Sequence, residues 1–521
     1  MNGFRCFVTS LAVVSPLLCC AGAATASDQP AIIPTPKSLK LTGGSIDISL
    51  TSRILYGDAQ LEPLAKVLAD DIRRIHGLEL AVAKGTAPDK GDILLKLGKV
   101  QGAEGGFDVY SVTVAGSVTV QGESYNDLAM GMMTVVQAAR SDGKVITIPH
   151  MTIRDWGDRG FRALQVDIRS GYHPPQWVKQ VIDVMRFYKV RVLQLHTTES
   201  LWVGAVMESS NGADTKLLHD NFAWTKKEMG DVIAYAKQRG VSLVPHNEMR
   251  PNDPYWPAAL TLDFNPSDKF TCYVDEVDHQ GKYQIKGNLA NDARFWNFVK
   301  VVTQRSYEQF GAGWPGGKLP CYHIGPVYGE GGCNGKEAVR MLSFLVEKNP
   351  DIRMMYWNGP GEKDPDLSPH KKNLCVQFYS AQWGGTPEGL LQAGYPLVNA
   401  SWTPLYILPG NKEKARAQAK WIFDEFQLAR FGAEGKFGEP IKASDCNKMQ
   451  AGVIGALLPT WEFGGPTGHL DMIVPCIPYF AEHIWNVQPF PYPKGAWERM
   501  SNANAQLEPL LQRVLKDTAK P

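Results

Sequence analysis

Residues 161–196, FRALQVDIRSGYHPPQWVKQVIDVMRFYKVRVLQLH, decide the fold. An apolar run at 163–168 gives way to a helical pattern over 176–188, and a second apolar run follows at 190–196. Two continuous apolar strands separated by one amphipathic helix form a crossover unit, which joins parallel strands. The alternation continues downstream, with strand patterns at 241–245, 320–324, 353–357, 374–379, 396–400 and 453–458. Helical patterns at 226–239, 293–310, 337–347, 413–431 and 469–485 lie between or after them. Only the link between the fifth and sixth strands departs, carrying Pro and Lys in place of helical periodicity. Eight strands alternating with helices predict an α/β protein whose parallel sheet closes into a (β/α)8 barrel.

Working outward, residues 156–500 are assigned to the barrel and 501–521 to a C-terminal helical tail. Residues 28–155 read as a smaller α+β domain, with short strands at 111–114 and 117–120 and helices over 61–75 and 125–139. The first of these helices gathers Leu64, Val67, Leu68 and Ile72 on one face. No polar cluster falls in this domain, which makes it a support. At the start, Arg5 precedes an apolar run from Cys6 to Cys20, followed by the small residues Ala24-Thr25-Ala26. That layout is a secretory signal peptide over 1–26, too short to span a bilayer, and it predicts export to the periplasm or beyond. Lipidation of Cys19 or Cys20 is not expected, because Leu18 and Cys19 stand where a small residue should precede the modified cysteine.

The whole chain of 521 residues carries 54 basic and 53 acidic side chains, and removing the leader with its single Arg5 brings the balance to zero. Such neutrality argues against nucleic acid as a partner, which requires a basic face. No other apolar stretch is long enough for a membrane span. Six cysteines follow the leader, at 272, 321, 333, 375, 446 and 476, and an exported chain permits one or two bridges among them. Neither C-x-x-C nor H-E-x-x-H spacing occurs, so a structural zinc or a zincin site has no support, and nothing else in the sequence implies a metal or an organic cofactor.

In a (β/α)8 barrel the chemistry sits at the C-terminal strand ends. Those ends bring Asp167 and Arg169, His196 and Glu199, His246 and Glu248, His323 with Glu330 beyond it, and Trp357 with Asn358. Gln377, Tyr379, Asn399, Trp402, Tyr406, Trp461 and Glu462 complete the set. Carboxylates, imidazoles and aromatic walls suit cleavage of a glycosidic bond. One acid protonates the leaving oxygen, a second group stabilises the positive anomeric carbon, and aromatic faces hold the sugar ring. The bland alternative for each is structural: a hydrogen-bonded strand-end acid, a satisfied core histidine, or a core tryptophan, the last being the preferred reading for Trp485.

The order of several motifs resembles the β-N-acetylhexosaminidases of glycoside hydrolase family 20. Ile33-Pro34-Thr35-Pro36 is similar to the start of that family's N-terminal domain. The segments Gly160–Asp167, Lys189–His196 and Ile233–Gly240 with Val244-Pro245 resemble its first three barrel units. His323-Ile324-Gly325 resembles the opening of its H-x-G-G-D-E motif, and Ala481–Trp485 resembles a late A-E-R-L-W helix. The resemblance implies a substrate-assisted reaction, in which the sugar's own 2-acetamido oxygen attacks the anomeric carbon. It implies Glu330 as general acid and base, Tyr406 as the tyrosine on the acetamido oxygen, and Trp357 as a wall of the acetamido pocket. Tyr379 stands where the family often has Trp, and Arg169, Trp461 and Glu462 would bind hydroxyls and the ring face. Four departures accompany the likeness. The acid arrives two residues late, after Gly329 instead of Asp; Arg169 lies one residue early; Leu408 replaces an Asp; and Trp461 adjoins Glu462 directly. Two alternatives therefore stand beside a family-type glycosidase. One uses two protein carboxylates, Glu330 with Glu248 or Glu199, where about 5–5.5 Å between them favours retention and about 6.5–9.5 Å inversion. The other is a carbohydrate-binding protein without catalysis.

Overall fold

The computed structural model describes residues 29–103, 105–168, 172–199, 202–203, 224–248, 276–277, 283–284, 293–326, 334–358, 363–383, 385–433, 436–461, 463, 465–487 and 492–518. The leader reading at 1–26 lies outside them. Among the described residues, no helix is long and apolar enough to cross a membrane.

The N-terminal sheet runs, edge to edge, through strands Ser38–Ile48, Ile146–Gly157, Phe107–Val114, Val118–Gly122, Ile93–Leu97, Arg53–Tyr56 and Ala81–Lys84. Its first three pairings are antiparallel and its last three parallel. Helices Glu62–His76 and Tyr125–Ala138 pack on it. The first stops at Gly77, whose φ of 77° is the left-handed turn that ends helices. The second starts with a capping box between Ser124 and Asp127.

The second sheet is a closed ring of eight parallel strands: Phe161–Asp167, Val192–Glu199, Ser242–Glu248, Cys321–Pro326, Arg353–Trp357, Leu374–Phe378, Leu397–Asn399 and Val453–Pro459. Closure is seen where Leu457 opposes Ala163 and His196 opposes Asp167, one on each side of the first strand. The expected barrel is thus present, with helices following most strands as read. Two local readings change. The helix expected over 413–431 runs only Lys412–Glu425, because the chain turns extended at Phe426 and pairs Arg430–Gly432 with Ala443–Asp445. The irregular fifth-to-sixth link is a 3-10 turn, Ser368–Asn373. Among the described cysteines, Cys321, Cys375, Cys446 and Cys476 are all free thiols, so the expected bridging finds no instance there; Cys272 and Cys333 lie outside the described residues.

The two units meet through buried charge. Asp155, fully buried on the support sheet, accepts hydrogen bonds from the Tyr110 hydroxyl at 2.5 Å, the Trp485 indole at 2.9 Å and the Lys37 amide at 3.1 Å. Lys189, buried just before the second barrel strand, places its ammonium 3.5 Å away. Trp485 is thereby confirmed as core. Nearby, Asp108 pairs with Arg162 and accepts from Arg191 at 2.6 Å. Burial alone would push the Asp108 carboxyl up, but Arg191 and Arg162 outweigh it and hold it below the usual range.

Replacing Asp155 by Ala strands Lys189 in a dry seam, so a loss of about 3–5 kcal/mol is expected in urea unfolding, whereas Asp155→Asn should lose less. Acid should also weaken the fold early. Burial lowers His76 to about 4 and His483 to about 3, and takes His323 and His469 well below the ordinary imidazole value. Each depressed group contributes stability that is complete above about pH 6.5 and declines by about 1.4 kcal/mol per pH unit as the unfolded chain alone takes up the proton. The thermal midpoint should therefore fall on going from about pH 6.5 to about 5.5, above the ordinary carboxylate range; a flat profile in that window would contradict this.

Candidate active site

Side chains along a barrel strand alternate between the interior and the helices, so every second residue faces inward. Counting upward from the buried apolar layer of Ala163, Val192 and Val244 gives Gln165, Gln194 and His246, then Asp167, His196 and Glu248. The Gln layer is internally bonded. Gln194 donates to Gln165 at 3.1 Å, and Gln377 donates to Gln194 at 2.6 Å. Parallel pairing then puts Asp167, His196, His246 and His323 opposite one another on four successive strands. His196 and His246 stack with ring centres 4.0 Å apart and planes 13° from parallel, and His323 lies 3.9 Å from His246.

His246 hands this column on to Glu248. Its Nδ1 accepts from the Gln194 amide at 3.2 Å, which leaves Nε2 to donate to Glu248 Oε1 at 3.0 Å. The same oxygen accepts from the Trp357 indole at 3.2 Å. Glu248 is only 3% exposed, so its carboxylate is held by two donors in a nearly dry place. His196, His246 and Glu248 each offer a ligand atom within 4.8 Å of the others. Yet the two imidazoles lie face to face, so their in-plane lone pairs do not converge on one point, and both His246 nitrogens are engaged. The arrangement suits a polar stack supporting a carboxylate better than a tetrahedral ion cage.

Aromatic rings wall this carboxylate. Trp357 meets Tyr379 edge-on at 5.6 Å and tilts against Trp461 at 5.9 Å. Tyr406 lies 6.3 Å from Trp461, tilted by 30°, and 6.4 Å from Tyr379, with planes 25° from parallel. Trp402 stacks on Tyr406 at 4.9 Å. Tyr406 is fixed by its own backbone, whose amide donates to the Trp402 carbonyl at 3.2 Å, while the next amide, at Ile407, reaches the last strand at Pro459 O, 2.9 Å away. Burial, with the nearby Tyr379 and Glu248, raises the Tyr406 phenol well above its ordinary value, so it stays a neutral donor at physiological pH.

Of the residues singled out in the sequence, His196, Glu248, His323, Trp357, Tyr379, Tyr406 and Trp461 come together at the C-terminal end of the barrel, with Trp402 at their rim. His196 and His323 have no exposed surface and support the pocket from beneath. Glu199 ends the second strand, but its side chain, like Arg169, Glu330 and Glu462, lies outside the described residues. Asn358 and Asn399 turn out to brace backbone. Asn358 accepts from the Tyr379 amide at 2.8 Å, and Asn399 donates to the Leu428 and Arg430 carbonyls, each at 3.0 Å. Gln165 and Gln194 were missed; the available signal was a polar residue two places before each strand-end Asp167 and His196, on the same inward face.

Gly325 also enters the site. Its φ is 85°, and an added Cβ would stand 2.5 Å from Glu248 Cγ. Gly325→Ala should therefore combine backbone strain with overpacking, for about 2–5 kcal/mol of lost stability in thermal or urea unfolding. A loss below about 0.5 kcal/mol would mean that Glu248 is not wedged as described.

Two sequence profiles match the chain: "Glycosyl hydrolase family 20, domain 2" over residues 29–156 and "Glycosyl hydrolase family 20, catalytic domain" over residues 160–253. A beta-hexosaminidase of Porphyromonas gingivalis is 25% identical over 239 residues, covering 42% of this chain and 30% of the relative. One from Vibrio furnissii is 22% identical over 270 residues, covering 46% and 41% respectively. The matched stretch thus spans less than half the length of either relative. In fold, the β-N-acetylhexosaminidase of Bacteroides fragilis superposes with a TM-score of 0.67 at 15% identity, covering 94% of this chain and 99% of that one. At such identity the superposition speaks for the fold alone, and the profiles and relatives mark a likeness over the N-terminal domain and the first part of the barrel. Over residues 29–253 the chain is thus similar to the β-N-acetylhexosaminidases of glycoside hydrolase family 20.

Proposed function

We propose that the protein is an exported glycosidase that removes a terminal β-linked N-acetylhexosamine, or a modified relative, from glycans. The observation that carries this reading is the aromatic enclosure of Trp357, Tyr379, Tyr406 and Trp461 around the fixed carboxylate of Glu248. Flat apolar faces on several sides accept the C–H faces of one sugar ring, and a neutral phenol at Tyr406 donates a hydrogen bond to an acetamido oxygen. Glu330 is the candidate general acid and base. In the substrate-assisted scheme it protonates the glycosidic oxygen as the acetamido oxygen attacks, then takes a proton from the water that opens the intermediate. The leader pattern at 1–26 supports export.

A second reading, a carbohydrate-binding protein without turnover, is favoured by Gly329, which stands where the family motif has its acetamido-orienting Asp. Hydrolysis of an aryl β-N-acetylglucosaminide by residues 27–521, run beside Glu330→Gln, separates the two. Turnover that falls about 10²–10⁴-fold in the variant supports the glycosidase and its acid. Equal turnover in both transfers the role to another carboxylate, Glu248 or Glu199. Absence of turnover in both, with retained sugar binding, favours the binding protein.

A further inference from the structure

The helix after the eighth strand, His469–Trp485, opens on a fully buried histidine that is not among the rings walling the pocket. Phe463 stacks on its ring at 3.8 Å with planes 6° from parallel, and Trp177 packs against it at 4.8 Å. Burial, with His173 adding to it, takes this imidazole well below its ordinary pKa, so the ring is neutral and carries one N–H. The hydrogen bonds fix which nitrogen bears it. The single hydroxyl proton of Thr460 goes to the Gln165 carbonyl at 3.0 Å, so Thr460 Oγ1 accepts from His469 Nε2 at 2.7 Å. Among the described residues Nδ1 has no hydrogen-bond partner. A phenylalanine would fill the same stack without burying an unpaired nitrogen, so packing does not account for an imidazole here. What the histidine adds is the hydrogen bond it gives to Thr460.

Thr460 is where three segments of the site meet. Its amide and hydroxyl both donate to Gln165 O on the first strand, at 3.2 and 3.0 Å. It pairs with Ile407, the residue after Tyr406. The residue that follows it is Trp461, whose amide donates to the Ile407 carbonyl at 3.1 Å. Thr460 thus ties the first strand to the two segments that carry Trp461 and Tyr406, whose rings lie 6.3 Å apart in the pocket wall. A β-branched side chain is stiff at χ1, and a hydroxyl that accepts from one fixed group and donates to another is held in one orientation.

We infer that His469 is a positioning residue for the pocket: by donating to Thr460 it fixes the planes of Trp461 and Tyr406 from outside the wall they form. This deepens the proposed function and rests on its reading of the pocket as a sugar site. The wall touches the sugar before and during reaction alike, so loosening it weakens binding of substrate and transition state together and is read in KM more than in kcat.

The test uses the protein from residue 27 onward, produced with 5-fluorotryptophan in place of tryptophan. The fluorine resonance of Trp461, identified by its loss in Trp461→Phe, reads the wall directly and needs no substrate. It should shift or broaden in His469→Phe, which keeps the stack and removes the donor, and in Thr460→Val, which removes the acceptor. His469→Gln, whose side-chain amide can donate in place of Nε2, should restore it. A Trp461 resonance at its wild-type position in both His469→Phe and Thr460→Val overturns the inference. With an aryl β-N-acetylglucosaminide, each of these two variants should raise KM about five- to tenfold and leave kcat within about threefold. The double variant should be no worse than either single one, and His469→Gln should lie within about twofold of wild type. A merely structural histidine would give neither the split nor the rescue, and additive losses in the double variant overturn the inference. If wild type turns nothing over, the hydrolytic reading fails by itself, and the fluorine resonance still decides the role of His469.

Discussion

The site exists because the barrel closes in one register. With Leu457 opposite Ala163 and His196 opposite Asp167, the inward positions of adjacent strands fall on common levels. A slip of one residue would turn Gln194, His196, His246 and Glu248 toward the helices and bring apolar neighbours inward. The polar column from Gln194 through His246 to Glu248 is therefore both a product of the register and a reason for it, since its donors and acceptors match only in this alignment. An interior filled with bonded glutamines and imidazoles is stiff: each member left without its partner would be a buried polar group out of water.

That stiffness passes to the chemistry. Glu248 is set by His246 from one side and Trp357 from another, and the missing side chain at Gly325 provides the room. Tyr406 is laced to the last strand through Ile407. Strand ends thus position the carboxylate and one wall, while the turn after the seventh strand brings the phenol and its neighbouring indole over the top. Two sources of geometry meet at one place, and neither depends on long loops.

Much of this was legible in the residues. The strand at 353–357 and the helices at 176–188 and 469–485 emerge within a residue or so of where apolar periodicity put them. The helix at 413–431 ran too long on paper because Phe426, Leu428 and Phe431 prolong the apolar pattern; in the fold those residues are buried by a turn and a short strand instead. Tyr406, Trp357 and Glu248 were recognisable as strand-end chemistry. Gln165 and Gln194 were not, since a lone polar residue within an apolar strand looks like interruption until the partner strands are known. Asn399 misled in the opposite way: a strand-end amide that resembles a ligand-binding group spends its donors on the backbone of 428–430.

The seam at Asp155 bears on how the two units could have been assembled. Without the small sheet, the barrel would leave Lys189 and Arg162 without their Asp155 and Asp108 partners. With the small sheet covering them, its carboxylates at 155 and 108 pair with these cations in a region closed to water. Neither unit can be exchanged for an unrelated one without also replacing its counter-charges. The architecture shows two parts, but the charge arrangement makes each the other's counter-ion.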